Sequence, residues 1–297
     1  MIRRLLALAL LAPAPTMANA ADRLVEHQIK PSVVDPGVKQ FDDPSIALVD
    51  PKLPADAPLA LFLPGTGGKP ANVPPLLEVI ARQGYRVLSL DYDDSPAATE
   101  YCPRDPDPAC SAAFREMRLT GKGAFRWFQN PPAESIVNRL VAALQALNAA
   151  APTEHWDQYL DGDQPRWDRI VVSGLSQGAG EAAFIAKQHL VRRVVLFSSP
   201  WDTTGRDQHP APWLSLPSVT PLERWQAEYN KRELTADKLI AAYAALAIPP
   251  ANIRVFDLDL LPGMGANSPN PYHTTTIRDV RYAAQWRAMY GTGSDAP

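Results

Sequence analysis

Cysteine is nearly absent from the 297-residue chain: two residues, Cys102 and Cys110. No histidine or further cysteine stands near them at metal-ligand spacing, so a zinc-type site is excluded. A basic stripe is also lacking. The formal net charge is -3 with charges dispersed, which removes the electrostatic footprint of a nucleic-acid binder. No internal apolar run is long enough to span a bilayer. There is no repeat, low-complexity tract or linker. Glycine is modest at 16 residues, whereas proline reaches 31, about twice its ordinary share. The prolines fall between periodic segments and predict long, stiff connections. With 46% hydrophobic residues the chain buries a sizeable core without metal or many disulfides.

The first 20 residues read as an export signal. Arg3 and Arg4 form a positive start, Leu5–Ala12 an apolar centre, and Ala18-Asn19-Ala20 a small-x-small cleavage site. The centre is too short for a membrane anchor, and no cysteine follows it to carry a lipid. Cleavage near Ala20 removes two positive charges and shifts the balance from -3 to -5. The mature protein is expected in the periplasm or outside the cell, with no stable membrane insertion. In that oxidising setting Cys102 and Cys110 are expected to form a disulfide. The short loop between them predicts a gain of roughly 2.5 kcal/mol on the entropic model.

Strand-like and helix-like segments alternate. Strands are expected at Leu24–Lys30, Ser45–Val49, Leu59–Leu63, Tyr85–Tyr92, Arg169–Ser173, Val194–Phe197, Pro221–Tyr229 and Ile253–Leu258. Helices are expected at Asn72–Gln83, Ser135–Ala149, Gln177–His189, Thr235–Leu246 (Thr235 as N-cap) and Thr276–Tyr290. This order implies βαβ units and a mostly parallel sheet covered on both faces. Residues 21–297 read as one domain with excursions at about 93–132 and 198–221.

The strongest motif is Gly174-Leu175-Ser176-Gln177-Gly178, a G-x-S-x-G between an apolar strand and a helix. Gly174 and Gly178 permit a tight corner that lifts the Ser176 hydroxyl to the sheet edge as a nucleophile. A serine needs a base, and the chain order for this corner is Ser, acid, His. Of the histidines after Ser176, His189 lies within the following helix and His209 in the second excursion. His273, in a loop before the closing helix, is the expected base. His27 and His155 precede the nucleophile and read as surface residues. The turn Leu63-Pro64-Gly65-Thr66-Gly67-Gly68 offers backbone donors from Thr66 or Gly67, with Gln177, to an oxyanion. It is not a P-loop, because Lys69 is followed by Pro70.

With these motifs the chain resembles the α/β-hydrolase superfamily over nearly all its mature length. It looks most like exported bacterial hydrolases with a PGTGG turn, a cysteine-bearing loop after the fourth strand and an SGxSQGAG corner. The resemblance implies an α/β fold with an eight-stranded, mostly parallel sheet flanked by helices on both faces. It also implies a Ser–His–acid mechanism with no cofactor. The acid is expected after the seventh strand, which selects Glu233, or after the sixth, which makes Asp202 the alternative; Glu228 is a third choice. Asp257 and Asp259 are placed on the last strand, pointing into or across the sheet. Two departures stand out: Pro64 where a histidine is usual, and glutamate where aspartate is commoner. The expected activity is hydrolysis of a small-molecule carboxylic ester. Peptidase, thioesterase or acyltransferase chemistry by the same residues remains open, as does a non-catalytic binding role. Trp201, Trp213 and Trp225 form either a lid or aromatic wall of the pocket or structural packing, and Asn267–Tyr272 is expected at its border. No amphipathic helix suits an oil interface, which favours an esterase over an interfacial lipase.

Overall fold

The computed structural model describes residues 23–265 and 268–295. The expected signal peptide and Asn267 lie outside these residues. Eight strands form one sheet: β1 (Val25–Ile29), β2 (Ser45–Val49), β3 (Leu59–Leu63), β4 (Arg86–Ser89), β5 (Ile170–Leu175), β6 (Arg193–Phe197), β7 (Trp225–Asn230) and β8 (Ile253–Phe256). Their order is β1-β2-β4-β3-β5-β6-β7-β8. The β1–β2 and β2–β4 pairings are antiparallel, and the rest are parallel. This is the α/β-hydrolase fold.

The central strands β3 and β5 are buried along their whole length, as parallel strands covered on both faces must be. Their side chains alternate between two cores. Leu59, Leu61, Leu63, Ile170 and Val172 face one core with α3 (Ile136–Ala150) and α4 (Gln177–Gln188). Ala60, Phe62 and Val171 face the other with α1 (Pro74–Ala81) and α6 (Ala283–Tyr290). A further helix, α5 (Ala236–Ala245), follows β7.

Three local expectations change. The first excursion contains a helix, α2 (Cys110–Thr120), where only loop was expected. Its buried face mixes Phe114 and Met117 with Arg115 and Arg118. A pattern reading that assigns arginine to solvent cannot see such a face. The closing helix does not start at Thr276. A short helix spans Pro271–Thr275, and α6 starts at Ala283 after Asp279, in extended conformation, caps the Arg281 N–H. His273 therefore sits on a helical turn and not in an open loop. Thr235 does precede α5, but its hydroxyl makes no capping bond there; it donates to Glu233 Oε2 at 3.3 Å.

The first excursion has a small core of its own. A disulfide joins Cys102 to Cys110, and both are buried with Phe114, Met117 and Phe125. Phe125 packs edge-on against Phe114 at 5.2 Å and Phe128 at 5.0 Å. The Arg118 guanidinium lies over both Phe114 and Phe128, a cation–π arrangement. Among the described residues no helix is long and apolar enough to cross a membrane.

The corner after β5 demands close approach of backbone. A Cβ at Gly178 would stand 2.0 Å from the Leu63 carbonyl oxygen, and one at Gly174 would stand 2.5 Å from the Gly178 carbonyl carbon. Gly67 is different: its φ is +67° but the space around it is open. Gly178→Ala should therefore lower stability by about 3 kcal/mol, the upper range for overpacking. Gly67→Ala should cost only about 1 kcal/mol, the strain of a left-handed residue. Urea unfolding of the two variants beside wild type checks the ranking.

Candidate active site

β5 runs into Ser176, and α4 begins at Gln177. Ser176 has φ +54° and ψ -121°, a backbone region that a side chain tolerates only when its surroundings hold it. The hold is local. The Ser176 N–H donates to the Phe197 carbonyl at the tip of β6 (3.0 Å), and the Gly180 N–H donates to the Ser176 carbonyl (3.1 Å). The α4 N-terminus, with its unpaired amides and positive dipole end, stands directly behind the serine.

Gly65 abuts this corner. A Cβ there would lie 3.0 Å from both Ser176 Cβ and the Leu175 carbonyl oxygen. That approach places Thr66 beside Ser176 and Gln177 on the wall of one cavity of about 240 Å³. The Tyr92 hydroxyl fixes the turn by donating to the Pro64 carbonyl at 2.9 Å. The Gly67 N–H does not face the cavity as a free donor; it donates to Asp94 Oδ1 at 2.9 Å. Gly67 is thus removed from the expected oxyanion donors, while Thr66 and Gln177 remain.

Glu233 follows β7 and is buried. Four donors converge on its two oxygens, as many as an ionised carboxylate readily accepts. Oε1 receives the Asn230 N–H (2.9 Å) and the Ser198 hydroxyl (2.6 Å). Oε2 receives the Thr235 hydroxyl and His273, whose Nδ1 lies 2.8 Å away. Ser198 directly follows Phe197, the acceptor of the Ser176 N–H, so Ser176 after β5 and Glu233 after β7 are linked through the tip of β6, while His273 reaches Glu233 from the short helix Pro271–Thr275.

Asp202, the alternative acid, is engaged elsewhere. Arg115 grips it with two bonds, Nε to Oδ2 at 2.7 Å and Nη2 to Oδ1 at 2.6 Å, and the Trp213 indole N–H donates to Oδ2 at 3.0 Å. Glu228 is also set aside as partner of His273: it lies within β7, fully buried, with Oε1 3.4 Å from Ser198 Oγ. Asp257 and Asp259 lie past the end of β8, not on it, and pair with Lys231 and Arg232 at the surface. Of the three tryptophans, Trp201 lines the cavity beside Ser176. Trp213 and Trp225 are buried in the core and pack structurally. The exposed His209 pairs in a two-residue ladder with Thr204. His189 caps the end of α4 and stacks on Trp167 at 5.5 Å.

Sequence reasoning missed Arg115. It lines the same cavity as Ser176, yet it is carried by α2 in the first excursion. Besides Asp202 it holds Glu181 Oε1 (2.9 Å), which also accepts from the Gln177 side chain (3.0 Å). Glu181 is fully buried, and burial pushes its carboxyl up to about 7 even with Arg115 beside it. Arg115, facing two carboxylates, keeps its proton, so Glu181 is the member that titrates. A legible signal existed: a lone glutamate in the otherwise small and apolar run GAGEAAFIA requires a buried cation.

Among the described residues no group of three or more histidine, cysteine or carboxylate side chains is arranged to hold a metal. No family model matches the chain, and a search of curated proteins finds no match. Similar solved structures include a bacterial heroin esterase at 16% identity and TM-score 0.47, covering 95% of this chain and 87% of the other. Esterase 2 of Thermogutta terrifontis is similar at 11% identity and TM-score 0.45, over 91% of this chain and 96% of the other. A thermostable carboxylesterase from a metagenomic library is similar at 16% identity and TM-score 0.44, over 90% and 89%. At this level of likeness no residue role passes from them to this chain.

Two outcomes follow from the site. If Glu233 orients His273 as a general base, Glu233→Gln should lower kcat by roughly 10³–10⁴, the scale for loss of such an orienting acid. Asp202→Asn should instead destabilise the fold by about 3 kcal/mol, because it uncouples a buried charge. Steady-state kinetics and urea unfolding on both variants separate the roles. Asp94 has a pH signature. Burial pushes its carboxyl up to about 6, although the Gly67 N–H pulls it down. Its ordinary value is 3.8, so between pH 4 and 6 the folded state keeps a proton that the unfolded state releases. Stability should fall as pH rises through that window. In Asp94→Asn the fall in urea midpoint between pH 4 and 6.5 should be smaller than in wild type.

Proposed function

We propose that the protein is a serine hydrolase that cleaves small carboxylic esters through an acyl-enzyme on Ser176. The observation that carries this reading is the arrangement at the C-terminal edge of the sheet. A serine at positive φ shares a cavity with Thr66 and Gln177, and a buried carboxylate after β7 grips a histidine carried by the short helix Pro271–Thr275.

In the proposed cycle His273 Nε2 takes the Ser176 hydroxyl proton as Oγ attacks the ester carbonyl. The bond from carbonyl carbon to Oγ forms while the carbonyl π pair moves onto oxygen. The Thr66 and Gln177 backbone N–H groups then bind that oxyanion, supported by the α4 N-terminus. Collapse expels the alkoxide, which takes the proton from His273 and leaves as alcohol. Water then attacks the acyl-enzyme with His273 again as base, and Ser176 is restored. Glu233 keeps the histidine proton on Nδ1, leaving Nε2 free to accept.

Ser176 Oγ and His273 Nε2 form no hydrogen bond to a described residue, which leaves both available to each other and to substrate. Such contacts commonly tighten only in the substrate complex. The modest cavity and the single aromatic wall of Trp201 favour a small acyl or aryl group over a long lipid chain. Export to the periplasm or beyond is part of the same reading. It is supported by the basic, apolar and small-residue sequence of residues 1–20 and by the Cys102–Cys110 disulfide.

A fluorophosphonate probe should label wild type and not Ser176→Ala. The same alanine variant should lose at least about 10³ in kcat on 4-nitrophenyl acetate. Equal labelling of the two proteins would remove Ser176 as nucleophile. Paired ester and amide substrates with one acyl group should release alcohol much faster than amine; the reverse would make the enzyme a peptidase.

A further inference from the structure

Glu228 is a buried acid without an assigned task. It lies on β7, five residues before Glu233, its side chain is sealed from solvent, and among the described residues its Oε2 has no hydrogen-bond partner. A lone carboxylate in that setting carries a heavy desolvation cost. The groups facing it come from every neighbouring element: the Glu233 carboxylate, the Ser198 and Thr276 hydroxyls, and the Tyr243 and Tyr282 phenols. None of these is a cation.

The bridge between the two carboxyl groups is Ser198. Its backbone is left-handed, with φ +50°, and its N–H donates to the Glu228 carbonyl at 3.2 Å. The Tyr243 hydroxyl donates to the same carbonyl at 2.6 Å, so this part of β7 is fixed from two sides. Ser198 Oγ lies 2.6 Å from Glu233 Oε1 and 3.4 Å from Glu228 Oε1. A hydroxyl has one proton to give. The short contact takes it, and the serine lone pairs then face Glu228. Two acceptors face each other there without a proton unless Glu228 supplies one.

We propose that Glu228 is a neutral carboxylic acid that positions the Glu233 carboxylate through Ser198, so that a four-residue line Glu228–Ser198–Glu233–His273 holds the histidine. The proposal rests on the reading of Ser176, His273 and Glu233 given above, and Glu228 is a positioning residue within it. A proton on Glu228 turns Ser198 into a better donor to Glu233, because chained hydrogen bonds polarise one another. It also avoids a second negative charge beside Glu233. Burial and that neighbouring charge both push the Glu228 carboxyl well above the usual carboxylate range. Thr276 closes the line on the other side: it faces Glu228, and its hydroxyl donates to the His273 carbonyl at 3.1 Å.

The test uses two variants and two readouts. Glu228→Gln keeps shape and a donor. Its kcat and KM should stay within about threefold of wild type, and the acid limb of its kcat/KM profile should not move. Glu228→Leu has similar bulk and no donor. It should lose about tenfold in kcat at unchanged KM, the effect of one hydrogen bond felt in the transition state. A downward shift of the acid limb in Glu228→Gln by about half a unit or more would mean that a negative charge was removed, and would overturn the proposal. Undiminished kcat in a folded Glu228→Leu would also overturn it.

Infrared difference spectra, taken at pH 7 in a Ser176→Ala background, should show a protonated-carboxyl stretch that vanishes when Glu228→Gln is added. No such loss would overturn the proposal even if the leucine variant fails to fold. This readout does not need activity. If Ser176→Ala leaves hydrolysis intact, the functional reading fails and the relay to a catalytic histidine fails with it, while the infrared band still reports whether Glu228 is neutral.

Discussion

The contact on which the site depends is backbone against backbone: the tip of β3 pressed onto the first turn of α4. The Leu63 carbonyl would lie 2.0 Å from any Cβ at position 178, so the two segments touch only because that residue is glycine. This closeness holds Ser176 in its left-handed conformation and brings the Gly65-Thr66 turn alongside it. A looser junction would let Ser176 relax to negative φ, and its hydroxyl would drop back toward the helix. The donors from the β3 turn and from α4 would then no longer converge on one cavity.

From that corner the arrangement extends sideways along the strand tips. The Ser176 N–H binds Phe197, and Ser198, the next residue, binds Glu233, which binds His273. Parallel neighbouring strands make this possible, because their C-terminal ends emerge side by side at one edge of the sheet. Each link is short and buried, so position is transmitted by stiff contacts. Ionised groups close to the cavity are matched with partners. Glu233 has four donors, Asp202 has a two-pronged arginine and an indole, and Arg115 lies between Asp202 and Glu181. Glu228 is the acid left without such partners, which is why a neutral form suits it.

The first excursion has a structural part in this. α2 lies against α4 so closely that a Cβ at Gly180 would stand 2.2 Å from Arg115 Nη2. The arginine thereby reaches the floor of the cavity from a segment far away in sequence. The disulfide and the Phe114–Phe125–Phe128 cluster give that segment a core of its own.

The sequence by itself determined the sheet strands, most of the helices that cover them and the Ser176 corner. These depend on local patterns: apolar runs such as LALFL and IVVS, the 3.6-residue period of Ile136–Ala150, and glycines flanking a serine. The pairing of Glu233 with His273 matches the expectation that the resemblance supplied, an acid after the seventh strand and a histidine before the closing helix. Tertiary structure decided what local pattern cannot carry. It diverted the Gly67 N–H to Asp94, bound Asp202 to Arg115, broke the closing segment at Asp279, and sent Trp213 and Trp225 into the core. In each case a polar or aromatic group had several partners within reach of the chain. Which one it met was set by long-range packing of elements far apart in sequence, and hydrophobic periodicity has no term for that.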